Sequence, residues 1–291
     1  MSNPLIKLEL LRRFRSPAAA WGIPLVVALP GIAVVLIYAS TLNWSTSGAL
    51  YADSLGDPGG VRVDDLRGVG TGMFIAVVAA LVVTLLVLVP AMVGGSIAGE
   101  RHSQTLQPLQ LTAMTPTQIL VGKLVSSLAY LLLALLCAAP VVVIPFLLGG
   151  LSATQVLGAY VVLLMVTVEL AAVALMVSAV MSRPGPAIVV ALLACGALTV
   201  FPWILTGVGF LVVGTNDLTF DAGSSPVRYL ASLSPVSLGS WVLDLRGSQE
   251  LASDAVRTED KVLSLLWFLI VTTGSLLVAR RHVTTPVDQD G

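Results

Sequence analysis

The sequence predicts an all-α membrane protein with six transmembrane helices, and two observations carry this prediction. Only 11% of the residues are charged and the mean hydropathy is +0.96, whereas an ordinary soluble domain has about 25% charged residues. Six apolar runs are each long enough to cross a bilayer, which takes about 20 residues. Nearly all of the charged residues fall between these runs.

The six apolar runs take up most of the chain. We place the spans at residues 18–39, 73–97, 116–148, 156–181, 187–213 and 262–279. The sequence therefore predicts one transmembrane domain over residues 1–291, with no room for a separate soluble catalytic domain.

Residues 1–16 precede the first span and predict an interfacial helix. Ile6, Leu10 and Phe14 recur at intervals of four, while basic residues lie between them. This pattern is typical of a helix that lies along a membrane surface. The alternative is a simple anchor in which the basic residues only fix the orientation of the first span.

The loops between the spans differ in character. Residues 40–72 are rich in Gly, Asp and Ser, which indicates an irregular connection. Residues 214–260 contain an apolar stretch interrupted by Pro235 and Gly239. A spanning helix would have to include both helix breakers and would reverse the topology. We therefore expect a pair of short extracellular helices there, either re-entrant or on the surface.

The charges predict the orientation of the spans. With both termini in the cytoplasm, the inner segments contain nine Lys and Arg and four acidic residues, while the outer loops contain six and eleven. An excess of basic residues marks the cytoplasmic side. The segment that joins spans two and three is then cytoplasmic. Its end has the pattern of a helix start, with Thr115 as N-cap, Pro116 at the first helical position and Gln118 completing a capping box.

This segment also resembles the permease subunits of type-2 ABC transporters. The residues that match the family pattern are an acid–base pair, a Thr-Leu step, a later Leu, a Thr-Pro step and an Ile-Leu-x-Gly-Lys ending: Glu100, Arg101, Thr105, Leu106, Leu109, Thr115, Pro116, Ile119, Leu120, Gly122 and Lys123. The sequence Leu-Ser-Pro-Val-Ser at 233–237 is similar to the family's Asn-Pro-Leu-Thr step before the last span.

The resemblance implies the membrane subunit of an ATP-driven exporter in the plasma membrane of a prokaryote. Such a subunit forms half of a permease dimer, with a second copy of this chain or with a related chain. Two separate ATPase subunits per complex bind ATP and Mg, and the permease has no cofactor of its own.

The resemblance also assigns roles to particular residues. Residues 100–114 form the coupling loop, which contains a short coupling helix and docks on the ATPase. Its candidate contact residues are Glu100, Arg101, Thr105, Leu106, Leu109 and Leu111. Glu100 has a simpler alternative role as a cap or solvating group at a helix end. In the family, spans two and five line the substrate pathway, so the candidate lining residues are Met73, Phe74, Phe201 and Trp203. The same aromatic side chains are also typical of a lipid-facing belt.

Glu169 is the one acidic residue deep inside a span. A carboxyl group at this depth costs several kcal/mol unless it is paired or hydrated, so it marks a candidate proton or cation site, or a polar group in the substrate pathway. The alternative is a protonated side chain that bonds to a neighbouring helix.

Several functions are disfavoured by what the sequence lacks. It has no G-x-x-x-x-G-K-[ST] loop for binding nucleotide phosphates, so we expect no ATP hydrolysis by this chain. It has no basic stripe of the kind that binds nucleic acid, and its expected environment is the lipid bilayer. Two other functions stay open, namely a six-span assembly or interaction protein without pumping activity and an intramembrane enzyme that uses Glu169.

Overall fold

The computed structural model of the chain is helical and confirms the predicted all-α fold. It describes residues 17–55, 63–103, 116–147, 151–216, 226–239 and 258–284. Within these residues, six helices or helix pairs are long and apolar enough to cross a membrane. The predicted interfacial helix at residues 1–16 and residues 104–114 of the predicted coupling loop lie outside the described residues.

Eight α-helices and two short 3-10 helices make up the described chain. The α-helices are α1 Pro17–Leu55, α2 Val63–Val93, α3 Ser96–His102, α4 Pro116–Cys137, α5 Ala139–Leu147, α6 Ala153–Val180, α7 Pro184–Asn216 and α8 Thr258–Thr284, and the 3-10 helices are η1 Pro226–Leu233 and η2 Pro235–Gly239. Span two consists of α2 and α3, and span three consists of α4 and α5. Spans one, four, five and six are α1, α6, α7 and α8.

The first loop is less irregular than its composition predicted. The expectation of an irregular connection over residues 40–72 was wrong, because α1 continues to Leu55 and α2 begins at Val63. No proline occurs between Pro30 and Pro58. Isolated Gly, Ser and Asp residues weaken a helix by about 1 kcal/mol or less each and do not end it.

Spans two and three are each divided into two helices. Span two breaks at a turn formed by Gly94 and Gly95, four residues after Pro90. Span three breaks at Ala138, just before Pro140. Proline lacks the N–H group that a helix interior requires, which accounts for the break in span three.

The fourth span, α6, forms the centre of the bundle. Of its most apolar window 72% is buried, against 22% for each of spans one, five and six. It packs against α2, α4, α7 and α8. Its first turn is fixed by a capping box in which the Ser152 hydroxyl accepts from the Gln155 N–H and the Gln155 side chain accepts from the Ser152 N–H.

The two 3-10 helices pack against the bundle. The Ser234 hydroxyl donates to the Thr199 carbonyl at 2.8 Å, and Thr199 lies near the middle of α7. The Ser237 hydroxyl lies 3.0 Å from the Ser264 hydroxyl near the start of α8. This pair of helices is therefore seated between spans five and six.

Candidate functional site

Charged side chains gather at one end of the bundle, which we call the α3 end. Here α3 ends, α4 begins, α6 turns into α7 and α8 ends. The charged residues that the structure describes near these helix ends are Glu100, Arg101, Lys123, Arg183, Arg280 and Arg281. Because α3 leads directly into residues 104–115, its contacts are the described part of the predicted coupling site.

A buried ion pair joins α3 to α4. The Lys123 ammonium lies 2.7 Å from a Glu100 carboxylate oxygen, and the two side chains are 2% and 16% exposed. Lys123 also donates to the Ser96 carbonyl at 3.4 Å. An ion pair of this depth holds its partners in one geometry, because separating them would leave a charge without solvation. It therefore fastens the last turn of span two to the first two turns of span three.

Ser178 on α6 caps the start of α3. The first N–H groups of a helix have no carbonyl partner within it, and Gly95 at the N-cap has no side chain to supply one. The Ser178 hydroxyl oxygen accepts from the N–H groups of Ile97 and Ala98, at 2.9 and 3.2 Å. A residue of span four thus performs the capping that normally falls to the preceding residue of the chain.

A third bond ties α3 to α8. The Arg101 guanidinium donates to the His282 carbonyl at 3.2 Å. Since His282 is in the last turn of α8, it is one of the carbonyls that the helix leaves unpaired. Span six is therefore linked to the same short helix as spans three and four.

The turn between α2 and α3 packs closely against α7. A Cβ atom at Gly94 would lie 3.0 Å from the Ala191 Cβ and 3.2 Å from the Ile188 Cα, both on α7. Glycine is required here because the backbones of spans two and five approach this closely. α3 is consequently surrounded by contacts to four spans.

A family model described as ABC-2 family transporter protein matches residues 37–277. The chain belongs to the ABC-2 transporter family. The match includes all of spans two to five, and with them α3, Lys123 and Ser178. No curated protein matches the chain.

Membership of the ABC-2 family agrees with the resemblance found in the sequence. Together with the six apolar helices, it identifies the chain as a transporter membrane subunit. Membrane subunits of ABC-2 transporters are generally non-catalytic and associate with ABC ATPases.

The structure describes only two of the six candidate coupling residues of this ABC-2 protein. Glu100 and Arg101 are in α3 and contact Lys123 and the His282 carbonyl as described above. The other members, Thr105, Leu106, Leu109 and Leu111, lie outside the described residues. Glu100 forms an ion pair with another span, and its alternative role at a helix end stays a prediction.

The candidate pathway residues of this ABC-2 protein do not lie on one surface of the chain. Met73 and Phe74 on α2 are 1% and 4% exposed, inside the bundle. Phe201 and Trp203 on α7 are 56% and 50% exposed and face away from it. Spans two and five are neighbours, but these two pairs point in different directions.

Glu169 is fully buried in α6. Within the part of the chain that the structure describes, neither of its carboxyl oxygens has a hydrogen-bond partner. The adjacent Leu170 carbonyl accepts from the Cys195 thiol of α7 at 3.7 Å. The hydrogen bond to a neighbouring helix, which was one interpretation of this residue, is absent from the described contacts.

Two residues of this site had no assigned role in the sequence. In the sequence, Lys123 counted only as part of the family motif and as a positive charge. The signal for an ion pair was present, because a lysine inside an apolar run needs a nearby acid and one acid lies near the same end of the bundle. Ser178 had no signal, because a single serine in an apolar helix usually bonds to its own backbone. Its capping role depends on a helix about 80 residues earlier in the chain.

Proposed function

We propose that this chain is the transmembrane subunit of an ATP-driven ABC exporter. Two copies of the chain, or this chain and a related one, form the substrate pathway. Two separate ATPase subunits bind ATP and Mg and supply the energy. Family membership over residues 37–277 and the six apolar helices support this assignment.

The observation that carries the proposal is the set of contacts at the α3 end. The predicted coupling loop, residues 100–114, begins in α3, which is tied to α4 by Lys123, to α6 by Ser178 and to α8 by Arg101. A segment that docks on an ATPase requires such an anchorage, because a load on a loop with free ends would only bend the loop. Closure of the ATPases on ATP would then reach three spans through one short helix.

The charge distribution supports a cytoplasmic position for the α3 end. Five basic residues and one acidic residue lie near the helix ends there, in the list given above. Basic residues accumulate on the cytoplasmic side of membrane proteins. In this orientation both termini are cytoplasmic, and the protein is a multi-pass component of a prokaryotic plasma membrane.

The substrate pathway is proposed to form between two permease subunits. Phe201 and Trp203 face away from their own chain, so they are available to a second subunit or to lipid. Met73 and Phe74 are buried inside the bundle and would reach the pathway only when the spans around them separate. Glu169, buried beside α7, would become hydrated by the same movement.

Purification of the complex tests the proposal. The full chain, expressed with the ATPase genes of its source, should co-purify with an ATPase subunit, and the complex should hydrolyse ATP. Leu106→Asp with Leu109→Asp should abolish this association, since both changes place charges on the proposed apolar contact. Gln107→Asp with Gln110→Asp is the matched control, because it adds the same charge at polar positions of the same loop.

The outcomes separate the exporter from a six-span assembly protein. Loss of the ATPase in the leucine variant alone supports the coupling loop. Equal association in both variants would reject this loop as the contact. A wild-type chain that co-purifies with no ATPase would favour a six-span assembly protein and would overturn the exporter proposal.

A further inference from the structure

The short helix α3 is joined to α2 by a turn and to other spans by its side-chain bonds. The turn consists of Gly94 and Gly95, where the helix of span two is interrupted. The side-chain ties of α3 lead to α4, α6 and α8. α3 therefore continues span two along the chain, whereas its side-chain bonds lead to spans three, four and six.

The strength of these ties differs from that of the turn. Lys123 is 2% exposed and bonds both Glu100 and the Ser96 carbonyl, at the end and the start of α3. Ser178 is fully buried and holds two N–H groups of the first turn of α3. By contrast, the Gly94–Gly95 turn interrupts the helix of span two, has no side chain that could bond across the interruption, and packs against α7.

We propose that Lys123 and Ser178 are positioning residues that make α3 move with spans three and four as one body, with the Gly94–Gly95 turn as the joint between α3 and α2. The inference rests on the proposed function, because the movement is driven by an ATPase docked on residues 100–114. It adds to that function the path by which the ATPase movement reaches the spans. The movement passes from α3 across the bundle to α4 and α6, and not along the chain into α2.

Three variants loosen or restore the ties. Ser178→Ala removes the acceptor of two N–H groups, and Lys123→Met removes the charge while keeping an apolar chain of similar length. Glu100→Lys combined with Lys123→Glu restores an ion pair with reversed polarity. Ser126→Ala is the matched control, since the Ser126 hydroxyl is equally buried but bonds the Lys123 carbonyl within its own helix.

A first measurement shows whether the cap is released. Hydrogen exchange of the Ile97 and Ala98 amides should become roughly fivefold faster in Ser178→Ala, the factor that corresponds to one typical net hydrogen bond. The Ser126→Ala control should exchange at the wild-type rate. Equal exchange in both variants would show that Ser178 does not hold α3 and would overturn the inference.

A second measurement follows the movement itself in the purified complex with its ATPase. Spin labels are placed at exposed positions of α3, α4 and α2, in the substitutions His102→Cys, Val121→Cys and Val87→Cys. The distance from α3 to α4 should be the same without nucleotide and after trapping with ATP and vanadate. The distance from α3 to α2 should shift between these two states.

The variants decide whether the ties cause this behaviour. In Ser178→Ala and in Lys123→Met, the distance from α3 to α4 should broaden and should change with nucleotide, and the reversed ion pair should restore the wild-type pattern. A wild-type distance from α3 to α4 that shifts with nucleotide would overturn the inference, as would variants that behave like wild type. A wild-type complex that contains no ATPase, or in which no label pair responds to ATP, would reject the proposed function itself.

Discussion

Replacement of Gly94 by alanine tests the close packing of the α2–α3 turn. A Cβ atom there would lie 2.6 Å from the Pro90 carbonyl oxygen, 3.0 Å from the Ala191 Cβ and 3.2 Å from the Ile188 Cα. These are backbone atoms or the first atom of a side chain, so no rotamer change relieves the contacts. Spans two and five must move apart, and overpacking of this kind costs about 1–3 kcal/mol.

Two nearby glycines provide matched controls. A Cβ at Gly95 would lie 3.3 Å from the Ile188 Cδ1, the end of a flexible side chain, and a Cβ at Gly99 would meet no atom within 4 Å. Gly99 lies inside α3, where alanine is favoured over glycine by roughly 1 kcal/mol. The expected order of stability is Gly99→Ala at or above wild type, Gly95→Ala slightly below it and Gly94→Ala lowest.

Thermal unfolding in detergent measures this order. A thiol-reactive dye reports the exposure of Cys195, which is buried in the folded chain. Each kcal/mol of destabilisation lowers the midpoint by about 2–4 °C in soluble domains of 150–250 residues, so Gly94→Ala should fall by several degrees. A Gly94→Ala variant with a midpoint equal to that of Gly99→Ala would refute the close approach of spans two and five at this turn.

Further predictions concern charge, docking and topology. Glu100→Gln should lower the unfolding midpoint more than Lys123→Met, because it leaves the more deeply buried charge without its partner, at a cost of about 3–5 kcal/mol; equal midpoints would contradict this. Ser234→Ala should destabilise the pair of 3-10 helices by about 1 kcal/mol through loss of its bond to the Thr199 carbonyl, measured as faster proteolysis of residues 226–239. Single cysteine substitutions in intact cells should react with an impermeant thiol reagent at the outer positions Asp57 and Ser248 but not at the inner positions Gln107 and Gly185. Labelling at Gln107 would contradict the predicted topology.

Much of the fold could be predicted because a bilayer imposes a simple rule on sequence. A segment in hydrocarbon must be apolar and must satisfy its own backbone, so length and hydropathy alone locate the helices. The helix start at Pro116 was also predictable, since a Thr-Pro step is a local signal. Residues 40–72 were misjudged because their polar composition was given more weight than the absence of proline before Pro58.

The candidate site was predicted only in part, because its decisive contacts join distant segments. Glu100 was found from its place in a motif, but its partner Lys123 is 23 residues away, and the two were not paired before α3 was placed on α4. Ser178 resembles any other small residue of an apolar helix until α3 is placed beside it. The direction in which Phe201 and Trp203 point was likewise undetermined, since span five is apolar on all sides.

The central position of α6 has a consequence for how the protein is made. A ribosome delivers α6 to the membrane before α7 and α8, two of the helices that later surround it. For that interval α6 must be stable with those sides in contact with lipid, although they are buried in the finished bundle. Its mean hydropathy of 2.5 meets this requirement, while Glu169 opposes it. The sequence of this helix must therefore suit lipid first and the protein core afterwards. A mutation that is compatible with the folded core can still prevent α6 from inserting into the membrane.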